Sequence, residues 1–232
     1  AGMTGIRVNL SHTSLAKCAP LLEKLYWPAA RRAGREDAHL ILDLQGPELR
    51  GGELPQPIPL REGLDILLGE GGIPIPQTIL QTVRKGQQIS VDDGALLLEV
   101  RRTSRAVLLC RVLRGGPLRS KKSLSVLGEE LNTPTLTAAD LDNLAQAGRY
   151  GVTHILQPFV RDRRDVEVLR AELDRLGLRG IQVMAKIENR QGLDKLDEIM
   201  AAADQVCIAR GDLGNSMPLW KLPAIQKDIA AR

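Results

Sequence analysis

Five short apolar runs, all but the second followed directly by a segment of helical character, constrain the fold of this chain more than any other feature. They are residues 5–10 (GIRVNL), 39–44 (HLILDL), 152–157 (VTHILQ), 181–186 (IQVMAK) and 205–210 (QVCIAR). Runs of this length, rich in Ile, Leu and Val, read as strands. After the first, Leu15, Cys18, Leu22 and Leu25 recur at helical spacing from Ser14 to Arg32, interrupted by Pro20 and Pro28. Further helices are expected from Thr137 to about Gly148, over 163–176 with Gly177 just past the end, over 191–203, and from about Leu219 onward. Thr137-Ala-Ala-Asp140 resembles a capping box, with Asp in place of the usual Glu. Alternating β and α elements with nearly continuous apolar strands predict an α/β fold with a parallel sheet buried on both faces.

Between these parts the texture changes. Residues 52–78 are rich in Pro and Gly, and 86–126 hold short β-like runs separated by turn signals. Asp92-Asp93-Gly94 between QQISV and ALLLEV is a strong hairpin signal. The expectation is a small all-β domain at 47–134, inserted between residues 1–46 and 135–232.

The 232 residues carry a net charge of +4, with basic residues scattered and only 2% aromatic. Nucleic-acid binding is therefore not expected, because a single strand needs aromatic stacking platforms beside its basic groove. No run approaches the ~18 apolar residues of a membrane span, and the first residues show no secretory signal. Cys18, Cys110 and Cys207 form no CxxC pair and read as buried apolar thiols in a reducing, cytoplasmic setting.

In parallel α/β folds, ligands bind beyond the C-terminal ends of strands. Unusual polar clusters fall at those ends. The first strand carries Arg7 and ends in Asn9, Ser11 and His12; the second ends in Asp43, with Glu48 and Arg50 beyond. IQVMAK ends in Lys186-Ile187-Glu188-Asn189, and QVCIAR in Arg210-Gly211-Asp212-Leu213-Gly214. Glu188 and Asp212 suit one shared hard divalent cation. Lys186 and Arg7 suit a nearby phosphoryl group. Gly211 and Gly214 leave room for an anion at backbone N–H groups. Each residue alone has a plainer reading: a snorkelling lysine, a solvated carboxylate, Asp212 or Ser11 as a helix cap, and His12 as a satisfied hydrogen-bonding histidine.

Together these residues resemble the pyruvate kinase family. Arg7-Val-Asn9-Leu-Ser11-His12 is similar to its RxNFSH strand end, and residues 42–50 (LDLQGPELR) to its LDTKGPEIR. Val91-Asp92-Asp93-Gly94 and Ser120-Lys121-Lys122 match its lid domain, and Lys186–Asn189 and Ala209–Gly214 match KIEN and ARGDLG. The resemblance implies part of a (β/α)8 TIM barrel with an inserted lid, and transfer of a phosphoryl group from phosphoenolpyruvate to ADP, giving pyruvate and ATP. It implies Lys186 and Arg7 as catalytic residues, and Arg7, Lys186, Gly211 and Asp212 as substrate-binding. Mg2+ or Mn2+ would lie on Glu188 and Asp212. K+ would lie on Asn9, Ser11, Asp43 and the Leu44 carbonyl, with Glu48 accompanying K+ dependence. ADP or ATP would meet His12, Arg50 and Lys122. A homo-oligomeric, tetrameric full-length enzyme is implied. An aldolase or lyase using Mg-enolate chemistry, and a catalytically inactive homologue, are the competing readings.

The chain also departs from the family. Residues 123–128 (SLSVLG) replace GVNLPG at the lid hinge, Gln157-Pro158-Phe159-Val160-Arg161 replaces ASFIR, and Asn215-Ser216-Met217 follows ARGDLG in place of an acidic residue. Five strands are read where the barrel has eight, a full barrel taking roughly 250 residues. The expectation is therefore a fragment, inactive and aggregation-prone by itself.

Overall fold

The computed structural model describes residues 3–11, 13–35, 37–127 and 133–232, with only the backbone of Asn215 and Ser216. The chain divides into two compact units, Ala1–Pro47 with Pro134–Arg232, and Glu48–Thr133. In chain order the elements begin with β1 (Gly5–Asn9), α1 (Leu15–Leu21), a π turn (Leu22–Tyr26), α2 (Trp27–Arg32) and β2 (His39–Asp43). The second unit holds β3 (Ile58–Leu60), β4 (Asp65–Gly69), α3 (Gln77–Thr82), β5 (Gln88–Val91), β6 (Leu96–Thr103), β7 (Val107–Arg114), β8 (Gly116–Leu118) and β9 (Leu124–Val126). The first unit resumes with α4 (Ala138–Ala147), β10 (His154–Gln157), α5 (Arg163–Arg175), β11 (Gln182–Ile187), α6 (Arg190–Asp194) and α7 (Leu196–Met200). It continues with β12 (Gln205–Ile208), α8 (Arg210–Ser216), the 3-10 turn Leu219–Lys221 and α9 (Leu222–Ala231).

The first unit is built on an open five-stranded parallel sheet in the order β1-β2-β10-β11-β12. Successive side chains alternate between its faces. One face carries Val8, Leu40, Leu42, Ile155, Val183, Ala185 and Ile187, which pack against Leu15, Leu22, Leu144, Val166, Leu169 and Ile199 of the helical layer. Burial on this scale, about 1.5–3 kcal/mol for each large aliphatic side chain, holds the helices on. The other face departs from the expectation of apolar burial on both sides. It carries Asp43, paired with both Arg7 and Lys186, with Cys207 in register beside Lys186. One face is thus a core, and the other mixes these charged groups with Ile41, the buried Leu156 and Met184.

Local chemistry explains the elements. Ser14 caps α1 by accepting from Lys17 N. Pro28, in the first turn of α2, has no N–H and its ring would strike the carbonyl four residues back; the wider π turn before it absorbs that misfit. Thr137 and Asp140 form a reciprocal capping box at α4. The helix expected over 191–203 is two short helices, α6 and α7, meeting at Lys195. The last strand stops at Ile208, and Arg210 opens a helix instead of ending the strand.

In the second unit an antiparallel sheet runs β4-β7-β6-β5-β9, beside the β3-β8 pair. In the hairpin between β5 and β6 the Ala95 N–H donates to the Asp92 carbonyl at 3.0 Å, and the two central residues, Asp93 and Gly94, sit at φ +53° and +89°, as a primed turn requires. α3 breaks the purely β character expected there: Ile79 and Leu80 are buried and seal one side of that unit's core. Among the described residues no helix is long and apolar enough to cross a membrane.

Candidate active site

The site is assembled from the C-terminal ends of the parallel strands. β11 presents Lys186 on the face opposite the core. Its Nζ lies 2.5 Å from Glu188 Oε1 and 3.6 Å from Asp43 Oδ1 at the end of β2. Arg7 of β1 reaches Asp43 Oδ2 from the other side, Nε at 3.7 Å. The carboxylates are buried, Glu188 at 1% and Asp43 at 5% side-chain exposure, whereas Lys186 is 17% and Arg7 56% exposed. Two positive groups thus bracket one buried carboxylate, and the more exposed of them faces solvent.

Burial alone would depress Lys186, but Glu188, Asp43 and Asp212 outweigh it and hold its pKa above that of an ordinary lysine. Burial raises Glu188 more than Lys186 and a backbone N–H lower it, with the charge of Asp212 adding to the rise. Asp43 is raised by burial against the pull of Lys186 and Arg7. The Lys186 shift favours an ion pair and the Glu188 shift a neutral one. The 2.5 Å contact with a second carboxylate 3.6 Å away decides for a charged Lys186. Glu188 is then a carboxylate of raised proton affinity, suited to a cation.

Glu188 is aimed by a feature that sequence patterns do not reveal. The Phe159 N–H donates to Glu188 Oε2 at 2.8 Å, and Phe159 adopts φ +54° to do so. A non-glycine residue in that region is strained by about 1–3 kcal/mol. Asn189 caps α6, accepting from Gly192 N at 2.7 Å while its Nδ2 donates to the Val160 carbonyl at 3.1 Å. The polar end of KIEN therefore ties β11 to the loop that carries Phe159.

Asn9 and Asp43 are register partners on β1 and β2. Asn9 Oδ1 accepts from Ser11 N at 2.9 Å, so these two members of the expected monovalent-cation set are already joined. Leu44 is buried and donates its N–H to the Leu156 carbonyl. Asp212 lies in the first turn of α8, where the helix has no side-chain cap. Gly211 has open space where a Cβ would stand, whereas a Cβ on Gly214 would meet Leu219 at 2.8 Å. Gly211 thus leaves the approach clear, and Gly214 serves packing. His12 lies outside the described residues. Arg50 and Lys122 belong to the second unit: Arg50 pairs with Glu48 at 2.6 Å, and Lys122 with Asp92 at 2.8 Å. The buried Arg50 Nε has no hydrogen-bond partner.

Asp43 Oδ1 and Glu188 Oε1 are buried, and Lys186 Nζ is the group that faces both of them. With Asp212 close enough to raise Glu188 and Asp43 electrostatically, the donor set consists of hard oxygens. Among the described residues no three His, Cys, Asp or Glu gather around one point. Mg2+ is commonly held by one or two carboxylates plus substrate and water oxygens, so the residues present fit that ion.

Asp140 is a further participant, legible in the sequence only as a cap. It is fully buried and also accepts from Gln45 N and Gly46 N, in the turn following β2.

Comparison with known proteins agrees with the motifs. The family described as pyruvate kinase, barrel domain, matches residues 1–232. A pyruvate kinase from Aeropyrum pernix is 36% identical over 98% of this chain and 50% of its own length. One from Geobacillus stearothermophilus is 35% identical over 98% of the chain and 40% of its own length. Plastidial pyruvate kinase 2 of Arabidopsis thaliana is 30% identical over 99% of the chain and 41% of its own length. The chain thus spans half or somewhat less of the length of these relatives.

Proposed function

This chain belongs to the pyruvate kinase family, and from that premise we propose that it carries the phosphoryl-transfer site of a pyruvate kinase. The reaction moves a phosphoryl group from phosphoenolpyruvate to ADP and leaves the enolate of pyruvate to be protonated. The observation that carries this reading is Lys186, held charged between two buried carboxylates at the strand ends. Phosphoryl transfer demands positioning and positive charge more than covalent chemistry. Lys186 and the exposed Arg7 supply charge where it builds up on the transferring group, and Asp43 holds both in place. Gly211 leaves the backbone at the start of α8 accessible to the substrate.

Glu188 and Asp212 would hold Mg2+ or Mn2+, which when bound supplies Lewis-acid neutralisation of the substrate oxygens. Asn9, Ser11, Asp43 and the Leu44 carbonyl would hold K+, with Glu48 accompanying that dependence. His12, Arg50 and Lys122 are the proposed nucleotide contacts, residues 47–134 the lid, and the open sheet part of an eight-stranded barrel. A cytoplasmic, homo-oligomeric enzyme completes the reading.

The test is pyruvate formation by this chain and by the whole coding product that carries it, with phosphoenolpyruvate, ADP, Mg2+ and K+. Turnover should require ADP. Phosphoenolpyruvate or pyruvate chemistry that proceeds without nucleotide would replace this proposal with a lyase.

A further inference from the structure

We propose that Asp140 is a positioning residue for the monovalent-cation end of this site, aiming the Leu44 carbonyl through the turn that follows β2. The inference rests on the reading of Asn9, Ser11, Asp43 and Leu44 as cation ligands. A capping box needs one carboxylate oxygen, and Asp140 uses Oδ2 for it, accepting from Thr137 N at 2.9 Å and Thr137 Oγ1 at 2.7 Å. Its other oxygen does something a cap does not require. Oδ1 accepts from Gln45 N at 3.0 Å and Gly46 N at 3.3 Å, across 95 and 94 residues of sequence. The side chain is wholly buried, so those N–H groups would otherwise be left unpaired inside the protein.

Peptide planarity turns this grip into aim. The Leu44 carbonyl and the Gln45 N–H belong to one peptide unit, with no cis bond in the described chain, and in a trans peptide they point in opposite directions. Holding the Gln45 N–H toward Asp140 therefore fixes the Leu44 oxygen away from it. The turn is clamped from its other side as well. Gly46 sits at φ +63°, and a Cβ there would stand 2.5 Å from Pro158 Cγ. Upstream, the Leu10 N–H to Asp43 O and Leu44 N–H to Leu156 O bonds, 2.9 and 3.1 Å, lock the end of β2. The Leu44 carbonyl is left with one orientation, and Asp140 is the side chain that selects it.

The test compares Asp140→Ala with Thr137→Ala, which strips the capping hydroxyl but leaves the turn alone. Two readouts are used: amide hydrogen exchange at Gln45 and Gly46, and the K+ concentration at half-maximal response, followed by turnover and by melting temperature. In D140A, exchange at both amides should rise about tenfold or more, and the K+ midpoint should rise by a similar factor while Mg2+ dependence changes little. T137A should lose melting temperature with neither change. If D140A does not fold, Asp140→Ser, which keeps a polar cap but cannot reach Gln45, is read the same way. Equal losses of stability in both variants, with exchange and K+ midpoint unmoved, overturn the proposal and leave Asp140 a cap. A wild-type protein indifferent to K+ overturns the cation reading itself, and the exchange rates still report separately on whether Asp140 holds the turn.

Discussion

Removing the Lys186 charge while keeping its bulk is the sharpest perturbation of this site, and Lys186→Met does that. Two buried carboxylates depend on the ammonium, with contacts of 2.5 Å to Glu188 and 3.6 Å to Asp43. At an effective dielectric of about 20 these contacts are worth roughly 7 and 5 kcal/mol gross. Most of that offsets the desolvation of the charges, so the pair itself adds little net stability. Deleting only the cation is different, because Glu188 and Asp43 then stay buried without it, at about 3–5 kcal/mol. Urea unfolding followed by circular dichroism at neutral pH should show a loss of that order in K186M. The double variant K186M/E188Q should recover part of it, since the orphaned carboxylate is then neutral. Phosphoryl transfer should fall by at least about 10²–10³-fold. Stability unchanged in K186M would refute the buried-pair reasoning, and turnover within a factor of ten of wild type would refute the role of Lys186 in the reaction.

Other consequences are open to measurement. Asp165 accepts from Arg161 and from Thr135 Oγ1; burial raises its pKa, but these partners win and hold it below an ordinary carboxylate. Its contribution is present above the unfolded value of about 3.9 and is lost as pH falls through the lower folded value, so D165N should flatten the acid limb of a stability–pH profile. His154 is depressed by burial and by neighbouring His39. Its unfolded form takes up the proton first, so stability should fall as pH drops through about 6.5, and a His154→Phe variant should lose that slope in thermal melts. Asn189→Ala should cost about 1–2 kcal/mol through loss of the α6 cap. Gly192→Ala should be worse tolerated, because its Cβ would stand 2.5 Å from the Val160 carbonyl; equal melting temperatures for G192A and wild type would contradict that packing.

The parallel sheet was legible because its pattern is local. Val8, Leu40, Leu42 and Ile155 declare strands by residue type and length, and Thr137 with Asp140 declares a helix start by spacing. The meeting of Lys186 with Glu188 and Asp43 was legible in part, because all three lie at strand ends, where parallel folds gather polar groups. Partition between the faces of the sheet was not. An apolar run such as IQVMAK does not say that Met184 and Lys186 share a face with Asp43 while Val183 and Ala185 enter the core; register with β10 and β12 decided that. Nor could residue types place α3 in a Pro- and Gly-rich stretch, since Ile79 and Leu80 are helical because that unit's core closes over them.

What the sequence determined by itself is the order of the parallel strands, the family and the residue types available for chemistry, all of which follow from spacing and motifs along the chain. Tertiary structure alone decided which groups meet. The left-handed Phe159 that reaches Glu188, and the second oxygen of Asp140 that reaches Gln45 and Gly46, depend on hydrogen bonds spanning 29, 95 and 94 residues. No local preference favours either arrangement. Each persists because burial makes an unpaired N–H or carboxylate oxygen costly, and that cost exists only once the chain has packed.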